Sequence, residues 1–122
     1  MQTIAIVGLG RVGSRFLDAM RERASRGVVV VAVAEPQRTP GRQAAEAAGI
    51  PLLDLPELIA HCAGIDIVFD LSGQFAVRQR LRQGLARAGN SRTVVAPESV
   101  ARLIWAMLDA GTLPDVHTDL GY

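Results

Sequence analysis

The 122-residue sequence predicts an α/β fold: a single doubly wound parallel sheet of about five strands with helices on both faces. Three observations lead to this prediction. Short apolar runs alternate with segments of helical periodicity, the first run ends in a glycine-rich turn, and 49% hydrophobic content suits a sheet covered on both faces. Right-handed crossovers would join the strands. We therefore expect one domain over residues 1–110 and a C-terminal tail over 111–122.

The first strand and helix carry the most specific motif. An apolar run at residues 4–7 meets a G-x-G-x-x-G turn at Gly8, Gly10 and Gly13, and a helical pattern follows over residues 11–26. In this context Gly8 makes the tight turn, Gly10 lets the backbone approach a pyrophosphate, and Gly13 packs the helix on the strand. The helix N-terminus offers unpaired N–H groups to phosphates. The motif predicts a dinucleotide site.

The second strand ends in an acid. Residues 28–34 form an apolar run, and Glu35 follows, 22 residues after Gly13 (35 − 13), close to where the motif has an acceptor for the adenosine ribose hydroxyls. Arg38 could hold the 2′-phosphate of NADP, but Glu35 would repel that phosphate. The sequence therefore favours NAD over NADP as the cofactor. The alternative is a domain that kept its glycines for packing and lost the ligand.

The remaining segments continue the alternation of strands and helices. Turns or helix ends separate these segments at Gly49, at the Ser72-Gly73 pair and at Gly89. We expect short helices at 42–48 and 56–62, strands at 50–53, 65–71 and 93–96, and longer helices at 74–88 and 97–108. The strand order 3-2-1-4-5 follows if this is the nucleotide-binding half of a Rossmann fold. Ligands bind where that order reverses, between the glycine turn and the Ser72-Gly73 turn.

Composition excludes several functions. All 13 basic residues are arginine, so this chain cannot use a lysine Schiff base. A net charge of +1 and 4% aromatic content argue against nucleic acid as a partner, and no apolar run approaches the ~20 residues that span a membrane. Because the first strand begins at once, we expect no signal peptide. One cysteine, Cys62, fits a reducing cytoplasm.

Few residues are candidates for chemistry. His61 and Cys62 are adjacent, and adjacent helix positions diverge by about 100°, so we expect no paired site there. His117 falls in the tail, and Asp66 is expected to be structural. Asp70 and Glu98 each have two open interpretations, a ligand-facing one and a structural one. The arginines of the 74–88 helix are expected on a solvated face: Arg78, Arg80, Arg82 and Arg87.

The last helix predicts self-association. Its apolar residues recur at i, i+3, i+4, i+7 and i+8, and this stripe is expected to pack on the sheet: Val100, Leu103, Ile104, Met107 and Leu108. Trp105 would then point away from the stripe and be partly exposed. Because aromatic residues are enriched at interface centres, we expect a homodimer through this helix. A tryptophan lying under the tail is the alternative.

The chain also resembles known families. Over residues 3–96 the order of motifs resembles that of the nucleotide-binding domains of homoserine dehydrogenases, aspartate dehydrogenases and the glucose-fructose oxidoreductase family. These motifs are VGLGRVG, VAVAEP, GIPLLDLPEL and DIVFDLSG. GLGRVG is also similar to gating domains of bacterial potassium channels and transporters. TPGRQAAEAAGIP and PESVARLIWAMLD resemble Rossmann-type domains that precede sensor and kinase modules in bacterial signalling proteins.

The resemblance implies roles for individual residues. Gly8, Gly10, Arg11, Val12 and Gly13 would contact the pyrophosphate, Glu35 the adenosine ribose, and Ser72 and Gly73 would border the nicotinamide. The dehydrogenases carry a second domain that binds substrate and supplies the catalytic residue, and this chain stops where that domain would begin. The glucose-fructose oxidoreductase family has a Glu-Lys-Pro motif after the fifth strand, and this chain has Ala96-Pro97-Glu98 there, without the lysine.

Two functions therefore stay open at the sequence level. The first is the NAD(H)-binding part of an oxidoreductase, completed by a partner domain or subunit. The second is a non-catalytic, redox-sensing regulatory module that acts on a partner protein.

Overall fold

A computed structural model describes residues 1–108 and shows a parallel sheet between helical layers. Its strands are β1 (Gln2–Val7), β2 (Val28–Ala34), β3 (Ile67–Asp70) and β4 (Val94–Ala96), in the order β2-β1-β3-β4. The helices are α1 (Arg11–Arg21), α2 (Pro40–Ala47), α3 (Leu55–His61), α4 (Phe75–Arg87) and α5 (Glu98–Met107). Two short 3₁₀ helices cover Ala24–Arg26 and Cys62–Gly64. The doubly wound α/β prediction is confirmed.

Alternation along β1 divides the core into two layers. Ile4 and Ile6 point toward α1 and α5, and there the rings of Phe16 and Phe69 lie with centroids 4.8 Å apart. Ala5 and Val7 point to the other face, where α3 and α4 cover the sheet with Leu58, Leu81 and Leu85. A sheet buried on both faces explains why its central strands are almost continuously apolar.

The predicted third strand is reduced to one bridge. Leu52 pairs with Val33 in parallel, at the outer edge of β2, where the order 3-2-1-4-5 places this strand. Val33 N donates to Pro51 O at 2.9 Å, and Leu53 N donates to Val33 O at 2.9 Å. Proline has no N–H to extend a ladder, so this segment stays short at the sheet edge.

The predicted first helix is divided. It ends at Arg21, and a 3₁₀ turn follows that ends at Gly27 with φ +88°. Glycine takes this left-handed conformation without a Cβ clash.

The last helix buries a different face from the one predicted. Ala101 and Trp105 are 0% and 7% exposed, whereas Leu103 and Met107 are 62% and 71% exposed. Seven of the ten residues of α5 are apolar, so the helix has a second apolar face besides the predicted stripe. The small Ala101 lets the helix approach the sheet, and Trp105 fills the core beside it. The prediction of an exposed Trp105 was wrong.

Some predictions fall outside the described residues. The tail at 111–122, including His117, is among them. Within residues 1–108, no helix is both long and apolar enough to cross a membrane.

Candidate functional site

A cleft of about 780 Å³ opens at the carboxyl ends of the strands, beside the switch point between β1 and β3. Three distant segments meet there: the glycine turn, the region after β2 and the turn after β3. The lining residues that carry the argument are Gly8, Gly10, Glu35, Thr39, Arg42, Ser72, Gln74 and Arg80. Parallel α/β sheets bind their ligands in such a crevice.

The three motif glycines have different surroundings. A Cβ on Gly8 would lie 2.6 Å from Ser72 N and 2.7 Å from Leu71 C, and one on Gly13 would overlap Gly8 O. These two glycines are therefore needed for packing. A Cβ on Gly10 would meet no described atom within 4 Å, and Gly10 is exposed with φ −78°. Packing therefore does not require glycine at this position.

The start of α1 faces the cleft with its backbone. Gly10 is the N-cap and makes no side-chain capping hydrogen bond. Val12 is 1% exposed with its side chain in the core, and Gly13 is buried, whereas Arg11 is exposed. Any contact from Val12 or Gly13 to a phosphate would therefore come from backbone N–H groups.

Glu35 is held by the backbone at the edge of the cleft. Leu9 N donates to its Oε1 at 2.8 Å, and Gln37 N donates to its Oε2 at 3.0 Å. The carboxylate is thereby fixed beside the glycine turn. Each ionised oxygen can accept more than one hydrogen bond, so the group can still accept from a hydroxyl in the cleft.

The start of α2 is fastened to the glycine turn. Thr39 caps α2 by accepting from Arg42 N at 3.1 Å, and its Oγ1 donates to Leu9 O at 2.8 Å. A Cβ on Gly41 would lie 2.7 Å from Leu9 O. The sequence analysis missed Thr39 and Gly41, although Thr39-Pro40 is a recognisable helix start.

Arg42 supports the loop after β2. Its Nη1 donates to Glu35 O and Pro36 O, both at 3.0 Å, and its Nε donates to the Glu46 carboxylate at 3.0 Å. Arg38 lines a neighbouring hollow of about 200 Å³ together with Arg42. The structure therefore places Arg38 beside the cleft that contains Glu35, in a separate hollow.

An apolar wall of the cleft was also missed. It comes from the segment after β2 and the start of α3: Pro36, Leu52, Leu53, Leu55 and Pro56. Such a wall suits the flat, apolar faces of a base. Arg80 lines the same cleft from α4.

Asp70 and Arg78 correct the sequence analysis. Asp70 is 1% exposed and Arg78 4% exposed, and Arg78 Nε lies 3.2 Å from Asp70 Oδ2. Arg78 was expected on a solvated face and is buried in an ion pair instead. The ligand-facing interpretation of Asp70 is wrong, since its carboxylate points to Arg78 and Ser72.

The other candidate residues from the sequence do not line the cleft: Asp66, Glu98, His61 and Cys62. Asp66 accepts from Thr3 N and Thr3 Oγ1, both at 3.0 Å, at the end of the sheet away from the cleft. Glu98 begins α5 and pairs with Arg102 at 3.0 Å. Burial raises the pKa of the Cys62 thiol, while the neighbouring His61 is exposed. Within residues 1–108, no cluster of three His, Cys, Asp or Glu residues could hold a metal.

Comparison with known proteins agrees with this geometry. The family model described as "Homoserine dehydrogenase, NAD binding domain" matches residues 8–110. The chain belongs to this family. It is an NAD-binding domain of the homoserine dehydrogenase type, and the family indicates a nicotinamide dinucleotide as the cofactor. A search of curated proteins gives no significant match.

Solved structures show the same fold. A homoserine dehydrogenase from Thiobacillus denitrificans is 27% identical with a TM-score of 0.56, over 79% of this chain and 23% of that one. The S. aureus homoserine dehydrogenase at pH 7.0 is 18% identical with a TM-score of 0.60, over 84% of this chain and 28% of that one. The chain thus spans about a quarter of these dehydrogenases.

Proposed function

We propose that the cleft binds NAD(H) in preference to NADP(H), and that the domain is the nucleotide-binding part of an oxidoreductase. The adenosine ribose would meet Glu35, the pyrophosphate would lie over Gly10 and the start of α1, and the nicotinamide would border Ser72 and Gly73. The supporting observation is the Glu35 carboxylate, fixed by two backbone N–H groups next to the open face of Gly10.

Charge supports the preference for NAD. Glu35 can accept from a ribose hydroxyl and repels a 2′-phosphate at the same place. The Arg42 guanidinium already bonds two backbone carbonyls and Glu46. It is therefore engaged in holding the loop, and Arg38 lies in the neighbouring hollow.

Calorimetric titration with NADH and NADPH tests this preference. We expect the parent to bind NADH at least about tenfold more tightly, which corresponds to about 1.4 kcal/mol. Glu35→Gln should reduce the ratio of the dissociation constants for NADPH and NADH, whereas Glu22→Gln, at an exposed position, should leave this ratio unchanged. Equal or tighter NADPH binding by the parent would contradict the role of Glu35 and would favour Arg38 and Arg42 as its phosphate ligands.

A bound nicotinamide would supply hydride transfer, and the substrate groups would come from a partner domain or subunit. The single buried Cys62 suits a reducing compartment, and we infer the cytoplasm as the location. A regulatory module that senses NAD(H) would use the same cleft. Catalytic turnover measured together with the partner domain distinguishes the two functions, because only the oxidoreductase would turn over substrate.

We also propose a homodimer through α5, on a surface different from the one predicted. The exposed apolar stripe consists of Val100, Leu103 and Met107. A two-fold axis would bring this stripe against its own copy, because a single self-complementary patch suffices for such a dimer.

A further inference from the structure

The turn after β3 is tied to a buried ion pair. Asp70 Oδ1 accepts from Ser72 N at 3.1 Å and from Ser72 Oγ at 2.6 Å, and Ser72 Oγ accepts from Gln74 N at 3.2 Å. Asp70 Oδ2 meets Arg78 on α4. One carboxylate therefore connects the end of β3, the turn and the following helix.

This turn forms part of the cleft and supports its glycine side. Leu71, Ser72 and Gln74 line the cleft. Asp70 is in register with Val7, the residue before Gly8, and Leu71 N donates to Val7 O at 2.7 Å. The turn backbone lies so close to Gly8 that a Cβ there would be 2.6 Å from Ser72 N. A shift of the turn would therefore displace the glycine turn or open a gap behind it.

Stability alone does not explain a buried ion pair. Removing two charges from water is costly, and an apolar pair of similar volume is often as stable or more so. A carboxylate at this position does something that an apolar side chain cannot, since it accepts two hydrogen bonds from Ser72. Arg78 compensates the negative charge that this arrangement places in the core.

We infer that Asp70 is a positioning residue for the cofactor, with Arg78 as its counter-ion. Asp70 holds the 71–74 turn against Gly8 and so sets the floor of the cleft where the nicotinamide half of the dinucleotide would lie. Neither side chain is among the residues that line the cleft, so both act through the turn. The inference rests on the proposed NAD(H) site.

Two double variants separate positioning from stability. Asp70→Asn/Arg78→Met and Asp70→Leu/Arg78→Met both remove the ion pair, and Asn and Leu share the same number and branching of side-chain heavy atoms, although Leu is the larger. Only Asn keeps an oxygen that can accept from Ser72. Denaturant unfolding reports whether each variant folds, amide hydrogen exchange of Ser72 and Gln74 in the free protein reports the turn, and calorimetry reports NADH binding.

We expect the Asn/Met variant to keep slow exchange in the turn and to bind NADH within about threefold of the parent. The Leu/Met variant should fold, lose protection at Ser72 and bind at least about tenfold more weakly. The inference would be overturned if the Leu/Met variant bound NADH within threefold of the parent's affinity. It would also be overturned if both variants folded and lost NADH affinity to the same extent.

Ser72→Ala tests the same turn without altering the core, so it serves if the Leu/Met variant does not fold. It should speed exchange at Gln74, whose amide donates to Ser72 Oγ, and weaken NADH binding. Loss of a direct ligand contact would not change exchange in the free protein. Unchanged exchange therefore overturns the inference. If the parent itself fails to bind NADH, the proposed function is wrong, while the exchange data still show whether Asp70 holds the turn.

Discussion

Glycines that look alike in sequence meet different surroundings in the fold. The motif assigned packing to Gly13 and ligand approach to Gly10; the contact of Gly13 with Gly8 agrees with the first assignment, and the second stays a prediction, with open space at Gly10. The Rossmann order predicts that the Ser72 turn faces the glycine turn, but it does not predict the backbone approach that leaves no room for a Cβ on Gly8, 2.6 Å from Ser72 N and 64 residues away (72 − 8). The same holds for Arg78, whose burial depends on a carboxylate presented by β3.

Asp66 forms hydrogen bonds with Thr3 whose contribution to stability depends on pH, in agreement with the structural role expected for it. The Thr3 backbone N–H and then its hydroxyl, which both donate to the carboxylate, hold the pKa of Asp66 below its ordinary value, and Arg92 adds to this. A carboxyl whose pKa is lowered on folding stabilises the protein above its unfolded pKa, near 4, and this stabilisation is lost as the pH falls through the folded value.

We therefore expect Asp66→Asn to lower the denaturant midpoint at pH 7, with a deficit that shrinks below about pH 4. Unfolding of parent and variant between pH 7 and pH 2.5 is the measurement, with Asp18→Asn on the exposed side of α1 as the control. A deficit that stays constant over the whole range would mean that the Asp66 charge makes no contribution.

At the scale of elements, the sequence predicts which segments are strands and helices better than which way they face. The four strands and five helices lie where periodicity and turn residues placed them, within a few residues. The orientation of α5 was missed because seven of its ten residues are apolar and two different apolar faces could pack on the sheet. The strand at 50–53 shrank to a bridge because Pro51 interrupts it. Arg80 is exposed, as expected, but helical spacing alone does not show that it also borders the cleft.

The position of Arg80 on α4 leads to a test of that helix. Because Arg80 lines the cleft, its charge would attract the phosphates of a bound dinucleotide. We expect Arg80→Ala to weaken NADH binding by roughly three- to tenfold, and less so at high salt, because salt screens exposed charges. Arg82→Ala, on the exposed side of the same helix, is the matched control for titration. Equal affinities for both variants would exclude Arg80 from the site.

At the scale of the whole molecule, the fold brings the cleft together from segments that no local pattern connects. The topology rule predicted a crevice at the switch point, and the structure has a cleft there in which Glu35 and the Ser72 turn meet the glycine turn. The apolar wall and the anchoring of α2 by Thr39 depend on how loops fold back over the sheet edge. Single-sequence periodicity carries no information about that path.

The exposed stripe on α5 predicts how the molecule associates. Sedimentation of the parent at micromolar concentrations should show a dimer, because Val100, Leu103 and Met107 leave apolar area in water. Leu103→Glu should shift the protein to monomer, since it places like charges opposite each other across a two-fold axis. Arg82→Glu adds a negative charge elsewhere and should leave the dimer intact. A parent that stays monomeric at high micromolar concentration would exclude this dimer.

NADH titration of the parent, Gly10→Val and Gly64→Val shows most clearly whether the dinucleotide lies over the open face of Gly10. At both positions an added Cβ meets no described atom within 4 Å, but Gly64 lies at the opposite end of the sheet. We expect all three proteins to unfold at similar denaturant concentrations, the parent and Gly64→Val to bind NADH alike, and Gly10→Val not to bind. Binding by Gly10→Val equal to that of the parent would contradict the account, because the open face of Gly10 would then have no part in holding the dinucleotide.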